Sequence, residues 1–297
     1  MPPTPINLMR GWPASSLLPT NLIKHAAAAC LSSPEIAEPG LSYGPDPGYE
    51  PARVAIAKWL TEAYSKKIPT SPQNLCITGG ASQNLGNVLS VYTDPAYTRA
   101  VWIVAPAYFL AFRIFEDAGF GGRLRAVAED EEGLDLEALE RGLMESDKEW
   151  EARNNESPRY KPERARAKVY KHVVYCVPTF ANPSSATMSL RRRQELVRLA
   201  RRFDMLLVSD DVYDFLHWPA EPSDAGLKKT PLSSPPHQIL PRLVDVDREI
   251  DGGTQREGAD GFGNACSNGS FSKLAGPGLR CGWAEGSEKF AYGVSQT

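Results

Sequence analysis

Residues 270–280 read Ser-Phe-Ser-Lys-Leu-Ala-Gly-Pro-Gly-Leu-Arg. One lysine, Lys273, follows two hydroxyl residues, Ser270 and Ser272, and a glycine-rich turn separates it from Arg280. A lysine amine condenses with an aldehyde once desolvation or neighbouring cations lower its pKa. Two serines and a guanidinium around it would bind a phosphate through charge-assisted hydrogen bonds. An amine beside a phosphate site points to pyridoxal phosphate, held covalently at one end and electrostatically at the other. A polar loop with an exposed lysine explains the same stretch, so the other parts of the chain must decide.

Four further stretches carry candidate chemistry. Residues 79–84, Gly-Gly-Ala-Ser-Gln-Asn, lie between a strand-like run and a helix-like run. Backbone N–H groups at a helix start attract phosphate, and glycine admits it closely; a tight turn is the plain alternative. Asn182, in Pro-Thr-Phe-Ala-Asn-Pro at 178–183, follows a strand, where sheet ligands bind; an Asn-Pro turn explains it equally well. Ser-Asp-Asp-Val-Tyr at 209–213 also ends a strand. A carboxylate there would stabilise a protonated ring nitrogen, with Tyr213 in reach of the same ligand. Helix capping by either aspartate, or half of a divalent-metal site, are the alternatives, and the lack of a second strand-end carboxylate ranks metal low. Tyr108 emerges after another strand, either to stack on a flat ring or as a core tyrosine. His25, His172, His217 and His237 pair with no serine or cysteine in a nucleophile motif and receive no role.

The elements that must position these groups are read from periodicity. Helical apolar spacing is predicted over 21–31, 50–64, from the 79–84 turn to about 92, and over 108–118, 134–145 and 189–203, the last capped by Ser189. Strands are predicted at 75–78, 101–104, 172–177 and 205–208. This alternation predicts an α/β, three-layer α-β-α domain with a mostly parallel sheet. Residues 41–49, rich in Gly and Pro, are neither helix nor central strand. Residues 146–168 are expected to form a surface excursion, and 219–264 a surface insertion with one buried strand in the apolar island 240–246. The acidic run 129–132 reads as a solvated turn. The arginines at 191, 192, 193, 198, 201 and 202 read as a solvated face opposite Leu196, Leu199 and Phe203.

Composition narrows the class. The chain has 297 residues, 42% hydrophobic and 23% charged, with net charge -3. That charge gives no reason to expect nucleic acid or an anionic membrane. Cysteines 30, 76, 176, 266 and 281 are odd in number and form no CxxC pair, which fits reduced thiols in a cytoplasmic setting and disfavours zinc. The start shows no signal-peptide pattern, and no apolar run is long enough to span a bilayer.

In order and spacing the motifs resemble the class I/II aminotransferases, the fold type I pyridoxal-phosphate enzymes, and within them the fungal aromatic and aminoadipate aminotransferase-like members. Tyr43-Gly44 with Gly48, Gly79-Gly80-Ala81-Ser82-Gln83, Pro106-Ala107-Tyr108, residues 178–183, Asp210-Asp211-Val212-Tyr213 and residues 270–273 with Arg280 carry the resemblance over nearly the whole chain. It implies that Lys273 bonds the cofactor aldehyde and moves the substrate proton. It implies that Asp210 pairs with the pyridine nitrogen and that Tyr213 and Asn182 bond the ring hydroxyl. Tyr108 would stack on the ring, and Ala81, Ser82, Ser270, Ser272 and Arg280 would surround the phosphate. Tyr43 would reach the phosphate of a partner subunit in a homodimer, and Gly11 would lie beside the amino acid or 2-oxo acid substrate. Residues 1–40 would be an N-terminal arm and small-domain fragment, and 41–297 the cofactor-binding large domain. Ser184-Ser185 stand where the family has a hydroxyl residue and glycine, and Ala81 replaces a frequent hydroxyl. Family members continue for on the order of 100 residues more, so most of the small domain and the arginine for the substrate carboxylate are expected to be missing. The implied activity is transamination; β-elimination or C–S cleavage on the same scaffold, and an inactive truncated homologue, are the alternatives.

Overall fold

The computed structural model describes residues 11–152, 159–216 and 239–297. Its centre is one eight-stranded sheet. The strands are β1 (Leu75–Thr78), β2 (Ala100–Ala105), β3 (Leu124–Asp130), β4 (Gly133–Leu134), β5 (His172–Cys176), β6 (Met205–Asp210), β7 (Ala265–Ser270) and β8 (Gly282–Glu285). Their spatial order is β1-β8-β7-β6-β5-β2-β3-β4. Pairings across β3-β2-β5-β6-β7 are parallel, and β8 runs antiparallel between β7 and β1. From β2 the chain moves to one edge through β3, and from β5 toward the other through β6 and β7. Ligands bind outside the carboxyl ends of strands at such a reversal.

Nine helices among the described residues surround the sheet: α1 (Thr20–Leu31), α2 (Pro34–Leu41), α3 (Glu50–Ala63), α4 (Ala81–Tyr92), α5 (Leu110–Phe115), α6 (Leu136–Ala152), α7 (Leu190–Arg202), α8 (Leu243–Glu249) and α9 (Glu288–Val294). Alternate strand residues feed two cores, because successive side chains leave opposite faces of a strand. Val101, Ile103, Val173, Tyr175, Leu206 and Val208 pack under α4, α5 and α9. Trp102, Val104, Val174, Cys176, Leu207 and Ala265 pack under α6, α7 and α8. A third cluster joins α3 to Leu75 and Trp283 at the antiparallel edge. The predicted three-layer, mostly parallel α/β fold is what forms. Helices α1 and α2 bury no residue at all.

Four expectations are corrected. The apolar island 240–246 supplies a buried helix, α8, not a strand, because Leu243 and Val246 face one side at helical spacing. The segment from 239 onward therefore packs into the domain; residues 219–238 of the expected insertion, with His237, lie outside the described residues, as does His217. The arginine face of α7 is not uniformly solvated. Arg193 is fully buried and Arg192 and Arg201 nearly so, whereas Arg191, Arg198 and Arg202 are exposed. Each buried guanidinium has carbonyl or carboxylate acceptors within reach. The acidic run 129–132 is likewise no free turn: Asp130 and Glu132 accept from Arg192 and Arg191. The excursion at 146–168 starts later than predicted, since α6 continues to Ala152.

Charge is also buried at the antiparallel edge. Lys66 reaches Asp245 at 2.8 Å and Glu285 at 3.0 Å, and Arg242 reaches the same two carboxylates at 2.9 and 2.6 Å. Burial alone would raise the Glu285 pKa, but Arg242, Lys66 and Arg248 hold it well below the usual carboxylate range. Removing one member of such a cluster strands the others. Glu285→Ala is expected to cost about 3–5 kcal/mol, read as the fall in urea unfolding free energy.

His172, unassigned by sequence, is fully buried at the start of β5. The Trp102 indole donates to its Nδ1 at 3.2 Å, so Nε2 carries the proton toward Asp147 Oδ1 at 2.8 Å. Burial lowers its pKa, against the opposing pull of Asp147. The unfolded chain therefore binds a proton at higher pH than the folded one. This contribution to stability is complete above the unfolded value of about 6.5 and shrinks as pH falls below it. Between pH 7 and pH 5.5 the wild type should lose more unfolding free energy than His172→Gln, measured by urea titration at each pH.

Candidate active site

The carboxyl ends of the strands converge on one cavity of about 720 Å³. β1 leads through Gly79-Gly80 into α4, placing Ala81 and Ser82 at a helix N-terminus. β2 leads to Tyr108 and β5 to the loop holding Asn182. β6 ends on Asp210, three residues before Tyr213, and β7 ends on Ser270, ahead of Ser272 and Lys273. Arg280 precedes β8. Apart from Gly79 and Gly80, these residues line the cavity, and Gly11 does so with its neighbour Trp12. Tyr43 does not; its side chain is fully exposed.

The floor of the cavity is a buried carboxylate. Asp210 Oδ2 accepts the Tyr175 hydroxyl at 2.7 Å, while Oδ1 is buried without a partner. Burial raises the Asp210 pKa to about 6, against the Tyr175 hydrogen bond. Asn182 Nδ2 donates to the Tyr213 hydroxyl at 3.3 Å, and Lys273 Nζ lies 5.7 Å from the Tyr213 ring centre. At the far end the Ser270 and Ser272 hydroxyls are 2.9 Å apart, and Ser270 Oγ also accepts from Ser272 N at 3.1 Å. Arg280 sits in the left-handed backbone region at φ 49° and turns its guanidinium toward Gly80. Gly80 has φ 103°, and a Cβ there would stand 3.1 Å from Arg280 Nη2. Two serines, an arginine and a helix start converge here, a set of groups that could hold an anion.

Two features escaped sequence reasoning. Tyr175 lies within a buried strand, where a tyrosine reads as core; its position two residues from Val173 on the cavity-side face is the signal that was there to find. Asn268 accepts from Asn84 at 2.7 Å and ties β7 to α4 behind the serines. The Ser185 departure has a visible consequence: its φ is 63°, the conformation glycine takes most readily.

A family model, aminotransferase class I and II, matches residues 14–296. The chain belongs to this aminotransferase family. It is 38% identical to an uncharacterized protein of Saccharomyces cerevisiae across 94% of this chain and 63% of that protein. It is 28% identical to aromatic-amino-acid aminotransferase 1 of Thermococcus litoralis across 94% of this chain and 53% of that one. Among solved structures, α-aminoadipate aminotransferase LysN of Thermus thermophilus, bound to N-(5'-phosphopyridoxyl)-L-leucine, superposes with TM-score 0.65 at 27% identity, over 97% of this chain and 57% of that one. The aminotransferase chain thus spans 53 to 63% of the length of these relatives.

The cofactor of this aminotransferase family is pyridoxal 5'-phosphate, and the cavity fits it. The orphaned Asp210 Oδ1 is the partner a protonated pyridine nitrogen needs. The anion site and the Lys273 amine stand on the same cavity wall system. Among the described residues no cluster of three or more His, Cys, Asp or Glu could hold a metal. Gly80→Ala forces a side chain into a backbone region that disfavours it and against Arg280. The variant is expected to lose about 1–3 kcal/mol of stability, read by urea titration, and to bind pyridoxal phosphate more weakly, read by absorbance titration.

Proposed function

We propose that this chain is a pyridoxal-phosphate-dependent aminotransferase, moving an amino group between an amino acid of aromatic or 2-aminoadipate type and a 2-oxo acid. The observation that carries this reading is the pairing, in one cavity, of the Lys273 amine with the unpartnered Asp210 Oδ1. The names of the Thermococcus and Thermus relatives support the substrate class.

The cofactor supplies an aldehyde for the amino group and a ring that accepts electrons from the substrate carbon. Lys273 Nζ would hold the aldehyde and would be the group that moves the substrate proton. Asp210 keeps a positive charge on the ring nitrogen: ion pairing stabilises the carboxylate that burial otherwise pushes toward neutrality. Tyr175 holds Asp210 in place through Oδ2. Asn182 and Tyr213 bond the ring hydroxyl, and Tyr108 covers the ring face. Ala81 and Ser82 at the α4 N-terminus, with Ser270, Ser272 and Arg280, bind the phosphate. Gly11 leaves room beside the substrate.

Residues 41–297 form the cofactor-binding domain in this reading, and 1–40 an arm. The exposure of Tyr43, together with exposed Trp12, Leu17, Leu22, Leu31 and Leu41 on the arm side, supports a homodimer in which Tyr43 reaches the neighbouring phosphate site. Five free cysteines support a reducing, cytoplasmic setting. No helix among the described residues is long and apolar enough to cross a membrane.

Protein purified with pyridoxal phosphate should carry a visible absorbance band through gel filtration, and Lys273→Ala should abolish it. An unchanged band in that variant would remove Lys273 from its assigned place. With the band in hand, formation of glutamate from 2-oxoglutarate and a panel of amino acids separates transamination from elimination, which would release ammonia instead.

A further inference from the structure

Arg193 is fully buried on α7, on the sheet face away from the cavity, and the chemistry above makes no use of it. Among the described residues it has no carboxylate within ion-pair distance. Three of its four hydrogen bonds go to one loop, and the fourth goes to the segment ahead of α8. Nε donates to Met188 O at 3.1 Å, Nη2 to Pro178 O and Thr179 Oγ1 at 3.0 Å each, and Nη1 to Pro241 O at 2.9 Å. Pro178 and Met188 are the two feet of that loop, closed on each other by Met188 N to Pro178 O at 2.7 Å. Asn182 sits at its tip, past a second tie from Ala181 N to Ala186 O at 2.9 Å. Burial raises the pKa of Asp214, the residue after Tyr213, and the Arg193 charge opposes that rise. Arg193 is therefore fastened to the loop that carries Asn182, whose amide meets the Tyr213 hydroxyl at 3.3 Å on the cavity wall.

A buried guanidinium is costly, and a core of apolar residues would serve packing alone at least as well. Its planar fork holds several acceptors at fixed angles, which an aliphatic side chain or an ammonium cannot reproduce. We propose that Arg193 is a positioning residue: by clamping both feet of the loop 178–188, it fixes the Asn182–Tyr213 pair that grips the cofactor ring. This rests on the function proposed above.

The test is a double-mutant cycle on pyridoxal phosphate affinity, read by absorbance titration of wild type, Arg193→Met, Asn182→Ala and the double variant. Arg193→Met should weaken binding roughly tenfold in the wild-type background and less than about twofold once Asn182 is gone. An equal loss in both backgrounds, or none in either, overturns the proposal and leaves Arg193 a packing residue. Should Arg193→Met not fold by circular dichroism, Arg193→Lys takes its place in the cycle and is judged by the same ratio. If wild type itself binds no pyridoxal phosphate, the functional reading has failed and this inference falls with it, an outcome plainly different from a wild type that binds and a variant that does not differ.

Discussion

A single carboxylate oxygen organises this molecule. Asp210 Oδ1 is buried with nothing to bond, at the end of a central strand. An unsatisfied charged acceptor in a dry interior is among the least tolerable features a fold can carry. The surrounding structure tolerates it because four strands, a helix start and a serine-rich turn all open onto the same space, so a cationic ring nitrogen can reach it. The strand order makes that possible. Where the path of the chain reverses between β2 and β5, the loops diverge and leave a crevice instead of a packed surface.

Buried cations elsewhere in the domain are handled differently. At the β1-β8 edge, Lys66, Arg242 and Arg248 meet Asp245 and Glu285 and neutralise one another. On α7, Arg192 and Arg201 meet carboxylates, while Arg193 turns to carbonyls. Every one of these buried cations has its acceptors supplied by the fold. Asp211 Oδ2 and Asp214 Oδ1 are also buried without a partner, but only Asp210 lines the cavity, and that marks it as a charge held in readiness for a ligand.

Much of this was legible before any coordinates. Strands β2, β5 and β6 are β-branched apolar runs bounded by turn residues, and α3, α4 and α7 carry clear helical stripes, so their existence and type follow from pattern alone. β7 was not legible. It reads Ala-Cys-Ser-Asn-Gly-Ser, polar and weak in β-propensity, and becomes a strand because its neighbours fill the space its small side chains leave; the Trp283 ring lies where a Cβ on Gly269 would be, at 2.0 Å. α8 failed for a different reason: a short apolar run fits both periods, and only packing against α7 chooses. The residues that line the cavity were recoverable because strand ends put side chains at predictable places. Arg193 and Tyr175 were not, since a guanidinium reads as surface and a strand tyrosine as core until partners are visible.

The alternation of side chains along β6 has a further consequence. Asp210 and Asp211 are adjacent, yet Asp210 joins the Tyr175 face while Asp211 bonds Ser209 on the opposite one. Loss or gain of a single residue within that strand would exchange the faces of the two acids, turning Asp211 toward Tyr175 and Asp210 away from it. The same shift would carry Ser209 into the apolar face that Val208 now fills, so the register of β6 protects a core as well as a carboxylate.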